Sequence, residues 1–226
     1  MVVVLMVAIG VITYNTRSVK EITAAVENMI YAVCSAEKKD IANYTAGDVL
    51  FKLHNEQPIA SAQIENMDTY VEKYNKKYAN VICQVDLKLV DGSYDVSWYK
   101  IELVNKDGWK VYNVQLSQPL FASYKFKPHA DIELMKYIFT KFASTMDKPY
   151  AAGQVRIDLE RYEGEPVKIN NLEMTYLYGD GKLAKYDASY VVEGREVDNI
   201  ITFYKTKEGW KIVEINSSLV KKGNEV

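Results

Sequence analysis

The phrase "KDGWKVYNVQL" (Lys106–Leu116) returns as "KEGWKIVEINS" (Lys207–Ser217), so that Asp107-Gly108-Trp109-Lys110 falls on Glu208-Gly209-Trp210-Lys211 at an offset of 101 residues. A second acidic-Gly pair stands upstream in each half: Asp91-Gly92 lies 16 residues before Gly108, and Glu193-Gly194 lies 15 before Gly209. Acidic-Gly pairs between strand-like runs are hairpin signals. The runs around them are strand-like: Val81, Cys83, Val85, Leu87 and Leu89 alternate before the first turn, and "SYDVSWYKIELV" and "WKVYNVQL" follow it. In the second half "LAKYDASYVV", "EVDNIITFYK" and "WKIVEINSS" take the same places. Each half therefore ends in a three-stranded antiparallel meander. Gly108 and Gly209 are expected at positive φ, and Trp109 and Trp210 are expected to cover the end of a sheet core as a structural motif.

Helices open each half. Val26, Met29, Ile30, Val33 and Ala36 keep the spacing of one apolar helix face, as do Ile132, Met135, Ile138, Phe139 and Phe142 behind an Asp131 N-cap. Ile64, Met67, Val71, Tyr74 and Tyr78 also fall on a helical stripe and predict a further helix in the first half. The second half instead shows "QVRIDLERY" and "KINNLEMTYLY", read as strands, so its sheet is expected to hold about five. Pro119 and Pro128 punctuate the join. The resulting organisation is an apolar segment over 1–17, a first α+β domain over 18–119, a linker over 120–129 and a second α+β domain over 130–226. A length of 226 residues accommodates two domains of about 100 each.

Composition excludes some functions. With 28 basic and 30 acidic residues the net charge is -2, which argues against a dedicated nucleic-acid binder. Lys73, Lys76 and Lys77 read as the solvated face of the predicted helix. The 18 tyrosines suit half-buried sheet faces, with a minority available to a partner. Cys34 and Cys83 are too few for a structural zinc site. They form a candidate disulfide if the helix packs on the sheet near them, although two separately buried thiols is the favoured reading.

Val2 to Ile12 is an uninterrupted apolar run. It is shorter than the roughly 20 residues that span a bilayer, and it lacks the positive leader of a signal peptide. Three readings stand: the second half of a membrane anchor, a signal-peptide core, or a buried N-terminal element. The anchor is favoured, with the rest held at the membrane surface and extracytoplasmic.

Helices followed by a curved antiparallel sheet closing in an acidic-Gly-Trp-Lys-[Ile/Val] strand, at Asp107–Val111 and Glu208–Ile212, resemble the nuclear-transport-factor-two-like cone, also called ketosteroid-isomerase-like or cystatin-like. The fold class implied is α+β: two tandem cone-like domains, each with N-terminal helices packed on a curved antiparallel sheet. An anchor followed by two such domains is similar to the scaffold subunits of Gram-positive conjugation and type IV secretion channels. That resemblance implies a non-catalytic, membrane-anchored protein. Its partners would be other membrane or channel subunits and its own copies, and it would need no cofactor.

Catalytic cones place Asp, His and Tyr in a deep pocket. Here His54 and His129 fall outside the predicted strands, so no catalytic residue is assigned. Asp158 and Glu160 alternate on a predicted strand and read as its solvent face, neutralised by Arg156 and Arg161. "GDGK" at Gly179–Lys182 reads as a hairpin turn. No phosphate loop, nucleophile elbow or zinc-protease helix is spelled. A ligand-binding or acid-base cone is the alternative function. An accessory surface lipoprotein is a third, weakened because no Cys precedes Cys34.

Overall fold

A computed structural model describes residues 2–34, 40–49, 62–120, 131–161 and 165–217, with side chains from Thr16 onward. The elements run α1 (Val2–Cys34), α2 (Ile41–Tyr44), β1 (Gln63–Tyr74), β2 (Tyr78–Lys88), β3 (Tyr94–Asn105) and β4 (Trp109–Leu116). They continue with α3 (Ile132–Thr145), a 3-10 turn (Lys148–Tyr150), α4 (Gly153–Arg161), β5 (Ile169–Gly179), β6 (Leu183–Val192), β7 (Arg195–Thr206) and β8 (Gly209–Ser217). The protein is α+β, with two four-stranded antiparallel sheets in the orders β1-β2-β3-β4 and β5-β6-β7-β8. Two compact units emerge: Met1–Gly92 with Trp98–Ser117, and Ser93–Ser97 with Gln118–Val226. The short segment Ser93–Ser97, in the β2–β3 turn and the start of β3, thus belongs with the second unit.

In the first unit, α1 lays Ile22, Val26, Met29 and Ile30 against Val81, Cys83, Val85 and Leu87 of β2 and Ile101 and Leu103 of β3. The predicted i, i+3, i+4, i+7 face is the buried one, apart from Ala36, which lies outside the described residues. In the second unit Met135, Ile138, Phe139 and Phe142 of α3 meet Tyr186, Ala188, Ile201, Phe203 and Ile212. Each fully buried large apolar side chain contributes about 1.5–3 kcal/mol, so these stripes hold the helices on the sheets. Asp131 caps α3 as expected, its carboxylate accepting from the Glu133 N–H at 2.9 Å.

Three expectations are corrected. The stripe Ile64, Met67, Val71, Tyr74 lies on β1, not on a helix. Irregularities in the β1–β2 register between Ile64 and Asn66 and between Val71 and Lys73 insert extra residues into the alternation. They turn a period of two into spacings of three and four, which imitates helical periodicity while all four side chains still pack on the core. Lys73 therefore sits at the end of β1, with Lys76 and Lys77 in the turn that follows, all exposed. The segment read as a strand around Arg156, Asp158 and Glu160 is α4. Val155 and Leu159, one helical turn apart, face the second core. Finally, each described sheet holds four strands, so the two halves are more alike than their sequences suggest.

Candidate functional site

The repeated phrase forms the same corner in each half. Gly108 and Gly209 have φ of +113° and +128°. Trp109 is buried in the first core, whereas Trp210 is half-buried against the second. Sequence reading missed a second repeated phrase. Tyr44-Thr45-Ala46-Gly47 corresponds to Tyr150-Ala151-Ala152-Gly153, offset by 106. Thr45 makes a parallel bridge to Val111 and Ala151 makes one to Ile212. The Ala46 N–H donates to the Val111 carbonyl at 2.8 Å, and the Ala152 N–H to that of Ile212 at 2.9 Å. Gly47 and Gly153 then turn the chain into a helix at φ of +61° and +59°, a left-handed geometry that other residues resist. The sheet edge beside each Gly-Trp-Lys strand is thus covered by its own tetrapeptide. The signal was available, because 26–51 aligns with 132–157 without a gap and matches Met29 with Met135 and Tyr31 with Tyr137.

A third repeat locks a turn at the same end of each sheet as the Gly-Trp-Lys corner. Asn75 Oδ1 accepts from the N–H groups of Lys77 and Tyr78 (2.8 and 2.9 Å), and Asp180 Oδ1 from those of Lys182 and Leu183 (2.9 and 2.8 Å). "GDGK" is a side-chain-stabilised hairpin turn, in keeping with its reading from sequence. The Lys77 carbonyl accepts from Asn105 N–H, and the Lys182 carbonyl from Lys205 N–H, each at 2.8 Å.

The second unit holds its Ser93–Ser97 segment through a polar cluster. Lys211, 2% exposed, donates to the Tyr94 carbonyl (2.9 Å) and to Glu208 (2.7 Å). Glu208 also accepts from the Tyr94 N–H at 3.3 Å, and the Lys207 ammonium lies 5.7 Å from the centre of the Tyr94 ring. Asp95 Oδ1 accepts from the N–H groups of Gly153 (2.6 Å) and Val96 (2.9 Å). The carboxylate therefore rests on the positive N-terminus of α4. Buried Arg156 donates to Ser93 Oγ at 3.1 Å. Burial pushes the Asp95 carboxyl above its ordinary value, opposed by the two N–H donors and by Arg156 and Lys211. A buried ammonium is tolerated because each charge has a partner.

No family model matches the chain, and no curated protein matches it. Among solved structures it is similar to an "Ntf2 like protein involved in plasmid conjugation", at 15% identity and a TM-score of 0.28, covering 78% of this chain and 84% of that one. It is also similar to a cystatin-like protein from Ruminococcus gnavus, at 11% identity and a TM-score of 0.26, covering 87% and 83%. Likenesses this loose carry no argument about function.

The interiors of the two units differ in chemistry. In the second, Tyr186 meets Tyr176 and Phe203 edge-on, and Asn199 donates its amide to the Tyr190 hydroxyl. Burial holds both the Tyr186 and Tyr190 hydroxyls above the ordinary phenol range, so they remain neutral hydrogen-bonding groups. In the first unit the nearest counterpart is the Cys83 thiol, 3.7 Å from Thr69 Oγ1. Cys83 lies within the first core and Cys34 packs at its border, and both are free thiols.

Asp158 and Glu160 are exposed on α4 and engaged by Gln154 (2.6 Å) and Lys148 (3.0 Å), while Arg156 is buried and reaches Ser93. His54, His129 and the linker residues 121–129 lie outside the described residues. Among the described residues, no group of three or more His, Cys, Asp or Glu side chains is arranged to hold a metal, and no buried side-chain polar atom lacks a hydrogen-bond partner.

Proposed function

We propose that the chain is a non-catalytic assembly protein of the nuclear-transport-factor-two-like class. It would present two tandem domains at a membrane and act through protein–protein contacts, as in a conjugation or secretion channel. One observation carries this reading. The sheet face turned toward the helices is filled in both units by the chain's own side chains, while tyrosines stand on the outside. Tyr31, Tyr70, Tyr78, Tyr112 and Tyr137 are all exposed. Tyrosine supplies large contact area at low conformational cost and is enriched at interfaces.

The membrane part of the proposal draws on the apolar run Val2–Ile12, which forms the first part of α1. At 1.5 Å per residue, 33 residues make a helix about 50 Å long. Among the described residues no helix is long and apolar enough to cross a membrane. In-membrane crosslinking of the full-length protein in its native host, with partners identified by mass spectrometry, tests the reading. Capture of membrane channel subunits supports it, and recovery of background alone sinks it. A second reading, a small-molecule-binding or acid-base cone, draws on Tyr176, Tyr186, Tyr190 and Asn199 inside the second unit. A saturable ligand that shifts the ring resonances of these tyrosines would favour it.

A further inference from the structure

One end of the same sheet face, beside the Gly-Trp-Lys turn, is buried in the second unit and open in the first. The repeated turns make Tyr78 the counterpart of Leu183, and the repeated Gly-Trp-Lys strands make Lys110 and Tyr112 the counterparts of Lys211 and Val213. Leu183, Lys211 and Val213 are each 2% exposed, whereas Tyr78 is 52% and Tyr112 37% exposed. In the second unit the segment Ser93–Ser97 reaches this face and is held by Lys207, Glu208 and Lys211, as described above. The first unit repeats those three groups as Lys106, Asp107 and Lys110, and nothing among the described contacts engages Lys106 or Asp107 from another segment. Lys106 and Asp107 are exposed and Lys110 is half-buried, with its ammonium 3.5 Å from the Ala42 carbonyl.

Basic residues predominate at the turn end of this face. The Asn105–Lys77 backbone bond brings the β1–β2 turn beside the β3–β4 turn. Lys76, Lys77, Lys106 and Lys110 therefore gather at one end of the sheet around Asp107, with Glu102 beside Tyr112, in a chain whose net charge is -2. Tyr78 and Tyr112 supply aromatic surface next to them. The Tyr112 hydroxyl is bonded to Glu102, which also accepts from Asn113 at 3.1 Å, so the ring is held in place.

We propose that this open face is a self-association surface, filled by the β6–β7 turn of a second copy of the chain. This inference rests on the assembly-protein reading above and gives it a specific contact. Two observations select the occupant. The segment that reaches the equivalent face in the second unit adjoins an acidic-Gly turn, Asp91-Gly92, and Glu193-Gly194 is the matching turn of the second half, with its Gly at a φ of +78° against +83°. The β6–β7 turn also has the complementary charge pattern: exposed Glu193 and Glu196 to meet the lysines, with Arg195 to meet Asp107. A contact between two different surfaces of the same chain is head-to-tail, so it builds rings or open filaments. A long polyanion such as nucleic acid fits less well, because beyond this small end it would face an acidic molecule.

The test is sedimentation velocity of the full chain in detergent over a concentration series. The chain should self-associate. Lys106→Glu with Lys110→Glu, or Glu193→Lys with Glu196→Lys, should each weaken association at least about tenfold, the effect of about 1.4 kcal/mol. Combining both reversals in one chain should restore it. Lys106→Glu alone, in an exposed turn, keeps the test interpretable if Lys110→Glu disturbs folding, as checked by circular dichroism. A monomer at every concentration, association indifferent to both reversals, or failure of the swap to restore it would each overturn the proposal. Crosslinking that captures other channel subunits but never a second copy would leave the assembly reading standing and remove this contact.

Discussion

Cys83 is enclosed by the first core, and its thiol is pushed up to about 11, mainly by burial, with Thr69 opposing and the charges of Glu27 and Asp68 adding to the shift. Burial raises Cys34 as well. Because the thiolate is the reactive form, titration of the folded chain with a disulfide reagent at pH 8 should be slow at both residues and slowest at Cys83. Fast labelling of Cys83 before unfolding would contradict this packing. The two tryptophans of the repeat differ at the same scale. Trp109→Ala should cost about 3–5 kcal/mol, as expected for a buried aromatic, and Trp210→Ala should cost less because its ring is half-buried; denaturant melts of the two variants decide. Asp95 adds a pH signature. Its folded-state pKa is raised, so the folded chain binds this proton more tightly than the unfolded chain does. Stability from this group is then fully present below the ordinary carboxylate value of about 3.9 and is lost as pH rises through the folded pKa. Asp95→Asn fixes the neutral form and keeps an oxygen for Gly153, so its melting temperature relative to the parent chain should climb over that window. A flat or falling difference would show that the carboxylate's partners outweigh its burial.

At the scale of elements, legibility followed periodicity. The α1 and α3 faces could be read because a regular helix preserves its spacing, and β2 because a central strand alternates cleanly. β1 could not, since its two register irregularities insert residues at the points where helical spacing would require them. α4 was misread for the converse reason: in nine residues Val155, Ile157 and Leu159 alternate as a strand would, while the contact that fixes the helix is the Val155–Leu159 pair on the second core. The edge strands show what such irregularities do. β1 is broken near Ile64 and Val71, and β5 near Asn170 and Tyr176. Bulged edges resist pairing with a foreign strand. Removing the extra residue near Val71, by deleting Glu72, should pair Val71, Lys73 and Tyr74 with Val81, Asn80 and Ala79 without a break, so that Tyr74 keeps its core face and the edge becomes regular. The regular edge should promote aggregation, read by light scattering on heating. Scattering unchanged from the parent chain would mean that this irregularity has no part in protecting the edge.

At the scale of the whole molecule, the Gly-Trp-Lys phrases were enough to reveal two halves, because that turn and strand tolerate little change. The polar grip on Ser93–Ser97 could not be read, since it joins residues 58 to 117 positions apart, largely through a backbone carbonyl and N–H groups that any sequence possesses. The same limit applies to the membrane. The apolar run supplies hydrophobic length, and α1 supplies the continuous helix that would carry it into the first unit. If that run is an anchor, the native chain should resist carbonate extraction from membranes of its host. Val7→Asp combined with Ile9→Lys should release it to the supernatant, because each charge at the centre of a bilayer-embedded helix costs about 2.5–3.5 kcal/mol on insertion scales. Both positions precede the first described side chain of α1 and lie ahead of its core stripe at Ile22–Ile30, so the released protein should retain the parent's circular dichroism and melting transition. Release without loss of fold supports an anchor that is separable from the core. Equal extraction of native and variant chains would make the run an ordinary helical extension and take the membrane out of the proposed function.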